Sequence, residues 1–123
     1  MQASKVIKTW AYGGGHASKS QTTGVIKGKI VGLVVDISSV TGTPTAAVTF
    51  RDADGCIIIP DALCATAATG HNIYFAESHK VTLDADFNPV AVMGPVTVAI
   101  DPSAAPSVEG ETLTVKVRLL YED

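Results

Sequence analysis

A long strand signal lies near the end of the sequence, in ETLTVKVRLLY, residues Glu111 to Tyr121. Every second side chain in it is apolar: Leu113, Val115, Val117, Leu119 and Tyr121. The positions between them carry mostly threonine, lysine and arginine. A period of two is typical of a β-strand with one buried and one solvated face, whereas a helix would scatter these residues around its axis. We therefore predict a long strand here and expect the rest of the chain to supply its neighbours.

The composition favours a single domain made of β-sheet. At 123 residues the chain has the size of one domain. It is rich in valine, threonine and glycine, which favours strands over helices. Only 17% of the residues are charged, which is low for a soluble domain, so we expect part of the surface to be covered by another subunit.

Charge and hydropathy exclude several classes of protein. The net charge is −3 and no run of lysine or arginine occurs, so the sequence does not favour nucleic-acid binding. No apolar run reaches the length of about 20 residues that a membrane-spanning helix needs. The first ten residues, MQASKVIKTW, lack the apolar core of a signal peptide. We expect a protein that is made in the cytoplasm without a signal peptide and binds neither nucleic acid nor membranes.

The remaining strands are shorter or less regular. Residues 25–37, VIKGKIVGLVVDI, form a long glycine-bearing strand with apolar side chains on both faces. Residues 46–59, AAVTFRDADGCIII, predict a hairpin around Asp54-Gly55, a dipeptide preferred in two-residue type I′ turns. Further strand candidates follow at residues 71–76, 80–87, 90–93 and 96–100.

With seven or eight strands separated by turn signals, the fold class is all-β: one antiparallel β-sandwich or barrel-like domain. Within it we expect the closing strand to lie between the 96–100 strand and the glycine-bearing strand.

The N-terminal segment is predicted to lie outside the β-sandwich domain. In residues 1–12 apolar side chains fall on both faces, so this part is a short strand or an extended arm packed on two sides. We assign residues 1–23 to the arm and a glycine-rich loop, and residues 24–123 to the β-sandwich domain. The loop, GGGHASKSQTTG at 13–24, is expected to be mobile, with a solvated His16.

Trp10 is either a core residue or the anchor of the arm on a neighbouring subunit, since aromatic side chains dominate interface energetics. The candidate interface residues are Val6, Ile7, Trp10, Tyr12 and Tyr121. We expect the removal of residues 1–12 to weaken assembly and to leave the sheet folded.

The residues that could bind a metal are poorly spaced for it. Cys56, Cys64, His71 and His79 lie seven or eight residues apart, unlike the close pairs of finger-like zinc sites. Convergence of all four from separate strands remains a minor alternative. Without an export signal both cysteines are expected to be reduced thiols, and a disulfide between them is the less favoured alternative.

No catalytic set can be assembled from the sequence. Asp84 and Asp86 would lie on the solvated face of one strand, so a hydrolase that uses this pair of carboxylates is the least favoured alternative. Asp52 to Gly55, DADG, resembles the start of a calcium loop, but Leu63 stands where the last ligand would be. No nucleophile elbow occurs. We expect no enzyme, no catalytic residue, no cofactor and no bound metal.

Three segments together resemble small β-sandwich virion proteins of tailed bacteriophages. They are the strand GKIVGLVVDI, the hairpin AAVTFRDADGCIII and the closing pair GPVTVAI and GETLTVKVRLLYE, which span roughly residues 24–121. The resemblance implies a non-enzymatic structural protein of the virion, a capsid decoration (cement) protein that binds the head surface as a homo-oligomer. Its partners would be copies of itself and a major capsid or other virion protein.

Two alternatives remain. The chain would serve in the neck or tail of the virion, or it would be a carbohydrate- or ligand-binding β-sandwich module. In the second case Trp10, Tyr12, Tyr74 and Tyr121 would form a stacking surface for the ligand.

Overall fold

The computed structural model describes residues 2–59, 69–75 and 90–122. This part of the chain forms β-strands and contains no helix. The eight strands are β1 (Gln2–Ala11), β2 (Lys19–Thr22), β3 (Ile26–Ile37), β4 (Ala46–Arg51), β5 (Gly70–Phe75), β6 (Val90–Gly94), β7 (Thr97–Pro102) and β8 (Thr112–Glu122).

The strands form two antiparallel sheets that share one core. Sheet A has five strands in the order β1-β8-β3-β5, and β6 pairs with the first half of β3. Sheet B has three strands in the order β2-β7-β4. A single cluster of buried apolar side chains draws on both sheets. The predicted all-β, sandwich-like fold is confirmed.

The closing strand β8 has the two faces that its sequence predicts. Leu113, Val115, Val117 and Leu119 are at most 1% exposed. Each buried side chain of this kind stabilises the fold by about 1.5–3 kcal/mol. β8 pairs with β1 on one side and with β3 on the other. The expected neighbour β3 is confirmed, but the 96–100 segment belongs to β7 in sheet B, so its expected place beside β8 is wrong.

A β-bulge explains part of the two-sided apolar pattern of β3. Ile30 lies opposite Tyr121 and Gly32 lies opposite Leu120, so Val31 is the extra residue. A bulge lets two successive side chains turn towards the same side. Both Ile30 and Val31 are buried as a result, at 0% and 1% exposure.

The first part of the predicted arm is a strand of the domain. β1 pairs with β8 in one unbroken register, from Gln2 opposite Tyr121 to Ala11 opposite Thr112. Val6 and Trp10 lie on its inner face and are 1% and 3% exposed. Residues 2–11 therefore do not extend away from the sandwich, because two of their apolar side chains complete its core.

β2 lies inside the segment that the sequence analysis treats as a loop. Residues Lys19 to Thr22 pair with Ile100 to Thr97 of β7, and all four side chains are exposed. An edge strand with no buried side chain leaves no hydrophobic period to detect.

The hairpin is shorter than predicted and has a different turn. Its return strand is reduced to a bridge between Arg51 and Ile57. In the turn, Gly55 has a φ of 82° while Asp54 keeps a negative φ, whereas a type I′ turn needs positive values at both. The Asp52 carboxylate accepts the N–H groups of Asp54 and Cys56, both at 2.9 Å, and this local cap favours a three-residue turn.

The two faces of β8 should differ sharply in their response to truncation. Leu119→Ala removes a buried side chain and should lower the free energy of unfolding by about 2–5 kcal/mol. Leu120→Ala, the matched control on the outer face, should cost about 1 kcal/mol or less. Urea unfolding of both variants checks this, and equal losses would contradict the assigned faces.

Deletion of residues 1–12 should unfold the domain, contrary to the expectation for a free arm. It removes Val6 and Trp10 from the core, each with about 1.5–3 kcal/mol of burial, and exposes one side of β8. Thermal unfolding followed by circular dichroism measures this. A cooperative transition at an unchanged midpoint would show that β1 is dispensable.

Candidate binding surface

β1 is the outermost strand of sheet A, and its hydrogen bonds alternate between two directions. The Tyr12 N–H donates to the Glu111 carbonyl at 3.3 Å, which extends the β1–β8 register by one pair. In an antiparallel ladder every second residue bonds to the partner strand. The even-numbered residues of β1 therefore bond to β8, and the odd-numbered ones direct their N–H and C=O groups away from it.

The odd-numbered carbonyl groups near the end of β1 are occupied. The Lys19 ammonium donates to the Thr9 carbonyl, and the Gly14 N–H donates to the Ala11 carbonyl at 3.1 Å. Both contacts confirm the outward direction of these groups.

The other half of the same strand edge is open. Ala3, Lys5 and Ile7 have exposed side chains. Their outward N–H and C=O groups have no hydrogen-bond partner in the described part of the chain. We call the backbone of these three residues the open edge.

The glycine-rich loop is fastened to the domain. The Trp10 indole N–H donates to the Ala17 carbonyl at 2.8 Å, and the Lys19 ammonium lies 5.1 Å from the centre of the Trp10 ring. We call these three residues the clasp. His16 Nδ1 is 3.2 Å from the Pro102 carbonyl, and because a carbonyl only accepts, Nδ1 carries the proton. His16 is exposed, as the sequence predicts, and it also contacts the end of β7 through the Pro102 carbonyl.

The five candidate interface residues separate into two groups. Val6 and Trp10 are core residues, so their side chains offer no surface to a partner. Tyr121 packs partly buried against the core. Ile7 and Tyr12 are 42% and 49% exposed and lie at or beside the edge of sheet A. The surface that a partner can reach on β1 is therefore Ile7, Tyr12 and the open edge.

Sheet A carries a basic outer face, meaning the face that points away from sheet B. The register places Lys5 opposite Arg118, Lys116 opposite Asp36, and Lys29 opposite Glu122. Its charged residues are Lys5, Lys27, Lys29, Lys116 and Arg118 against Asp36 and Glu122.

This face holds five of the eight basic residues that the structure describes but only two of the seven described acidic ones. An acidic chain of net charge −3 thus has one face of opposite sign.

Asp36, the acid that pairs with Arg118 on this face, lies on β3, on the other side of β8 from β1. Arg118 Nη2 is 3.4 Å from Asp36 Oδ2, and both side chains are partly exposed. The Arg118 Nε is buried with no hydrogen-bond partner. Lys5 lies directly opposite Arg118 and has no carboxylate partner among the described residues. Like charges in facing positions are destabilising, so a carboxylate brought beside Lys5 would reduce the repulsion between Lys5 and Arg118.

The other candidate sites are described only in part. Cys56 is an exposed free thiol. Cys64, His79, Asp84, Asp86 and the side chain of His71 lie outside what the structure describes, so the zinc, disulfide and hydrolase alternatives are not decided. Among the residues that are described, no three histidine, cysteine, aspartate or glutamate side chains are placed to hold a metal.

The sequence does not match any family model, curated protein or solved structure with which it was compared. Within residues 2–59, 69–75 and 90–122 the structure has no helix long and apolar enough to cross a membrane.

Trp10→Phe should loosen the clasp and leave the core folded. The variant keeps an aromatic ring but loses the hydrogen bond to Ala17, worth about 1 kcal/mol. Hydrogen exchange of the 12–18 amides should become faster, with a small loss of unfolding free energy. The matched control is Tyr12→Phe, which alters an exposed aromatic residue next to the loop. Unchanged exchange in Trp10→Phe would show that the loop is held by other contacts.

Proposed function

We propose that this chain is a non-enzymatic structural protein of a phage virion. More specifically, it is a capsid decoration protein that is made in the host cytoplasm and binds the head surface as a homo-oligomer. Its partners are other copies of itself and a major capsid or other virion protein. The resemblance of three sequence segments to such proteins supports this proposal, together with the surface of sheet A.

The open edge is the observation that carries the proposal. A strand edge with free N–H and C=O groups is a ready template for pairing with another chain, and proteins that remain monomeric usually protect such edges. Here one half of β1 is closed by Lys19 and Gly14, while no described residue bonds to the outward groups of the half from Ala3 to Ile7. This selective exposure fits a protein whose role is to attach to others.

The construction of the domain supports the same role. Strand β8 is paired on both sides, and the core draws on both sheets. A module of this kind holds its edge and its outer face in fixed relative positions. Repeated attachment to a regular lattice requires that fixed geometry.

The carbohydrate-binding alternative loses one of its four aromatic residues. Trp10 is 3% exposed and donates its indole N–H to Ala17, so it cannot stack on a sugar ring in this structure. Tyr121 is partly buried as well. Tyr12 alone offers a large exposed aromatic surface among the described side chains.

The composition of purified virions tests the proposal. We expect quantitative mass spectrometry of particles purified by density gradient to find this chain in many copies per particle. Antibody labelling should mark the heads in electron micrographs. Labelling at the neck or tail would support the alternative location in the virion. Absence of the chain from purified particles would refute the virion role.

A further inference from the structure

We propose that the open edge of β1 accepts an extended, acidic segment of another protein as a sixth strand of sheet A. This inference rests on the proposed function, since the segment would belong to the virion protein to which the chain attaches. It identifies the partner by its chemistry: an extended backbone with carboxylates at alternate positions.

The backbone of β1 offers the hydrogen bonds. Ala3, Lys5 and Ile7 direct their N–H and C=O groups outwards, at the spacing with which one strand meets the next. Main-chain bonds of this kind give the affinity when a peptide adds to a sheet edge, and side chains give the specificity. The clasp closes the edge at Thr9, so an added strand is confined to the first half of β1.

The outer side chains of β1 select an acidic occupant. Side chains of an added strand would lie about 5 Å from those of Lys5 and Ile7. Lys5 is already opposite Arg118, and Asp36 pairs with that arginine on the far side of β8. A carboxylate on the added strand would face Lys5 directly, and an apolar neighbour would cover the exposed Ile7.

Pairing with a second copy through the same edge is opposed by charge. If two β1 strands paired antiparallel through their open residues, Ala3 would face Ile7 and Lys5 would face its own counterpart. The Arg118 beside each Lys5 would bring four cations together on one continuous face. A shift by one pair in one direction would need Thr9, whose carbonyl already accepts from Lys19, and a shift in the other direction would pair only Ala3 with Lys5 among the residues of the open edge.

Peptide binding to the full chain tests the inference. The probe is a short, end-blocked peptide that alternates aspartate and valine, and its counterpart alternates lysine and valine. In amide NMR spectra the acidic peptide should shift the signals of Ala3, Lys5 and Ile7, and its affinity should fall as salt screens the charges. The lysine peptide should cause no such shifts.

A charge reversal with a matched control sharpens the test. Lys5→Glu should lower the affinity for the acidic peptide by at least about tenfold, which is the equivalent of one lost charge pair. It should also allow the lysine peptide to bind. Lys27→Glu makes the same change on the same face, but on β3 beside β6, and should leave both affinities unchanged. Both positions are exposed, and thermal unfolding verifies that the variants are folded.

A proline substitution separates backbone pairing from charge. Ile7→Pro removes an outward N–H and leaves the bonds to β8 in place. It should therefore lower the affinity for the acidic peptide although Lys5 is intact. The control Ser4→Pro removes an inward donor and should lower the unfolding temperature instead. Equal effects of the two substitutions on folding would overturn the assigned direction of the hydrogen bonds.

Several results would overturn the inference. The first is that the folded chain does not bind the acidic peptide, or binds the lysine peptide equally well. The second is that a DNA oligonucleotide displaces the peptide and shifts the same amide signals. The third is that the chain forms dimers through this edge, which Ile7→Pro would abolish. The composition of virions is a separate readout. A chain that is present on particles but ignores the acidic peptide refutes only this inference, whereas peptide binding by a chain that is absent from particles refutes only the virion role.

Discussion

The pairing of β8 on both sides is the constraint on which the rest of the molecule depends. Its inner face supplies Leu113 to Leu119 to the core, and its two flanks hold β1 and β3 in register. Because β3 in turn carries β5 and β6, every strand of sheet A is positioned directly or indirectly by β8. Among the described strands none of sheet B pairs with sheet A. Sheet B is held by apolar packing against sheet A and by side-chain contacts such as that of Lys19.

The surface features follow from this arrangement. With β8 enclosed, β1 becomes the boundary of the sheet, and alternation of its hydrogen bonds exposes only its odd-numbered backbone groups. The same alternation gathers Lys5, Lys116 and Arg118 on one face while the chain as a whole is acidic. The available hydrogen bonds and the positive charge therefore lie side by side because of strand geometry.

The sequence predicts the strands whose apolar residues alternate cleanly, and it fails where that signal is mixed or missing. Leu113 to Tyr121 and Ala46 to Arg51 show the period and form strands. The sequence leaves β1 open between a strand and an arm because Ile7 adds an apolar side chain to its outer face, and β2 escapes detection because all its side chains are exposed. Chain order alone could not show that β7 belongs to the second sheet. The basic face depends on register: the lysines are visible in the sequence, but their shared side emerges only once β1, β3 and β8 are aligned.

The clasp has a consequence for the length of any strand that joins the sheet. Trp10, Ala17 and Lys19 form a fixed stop beside Thr9, and the indole ring that anchors it is itself part of the core. A segment that runs past Ile7 would have to displace a lysine from a carbonyl and from an aromatic ring at once. The clasp therefore limits the length of a strand that can add to the edge of sheet A, so short extended segments are favoured. It also disfavours the continued strand-on-strand association that an unprotected ten-residue edge would allow.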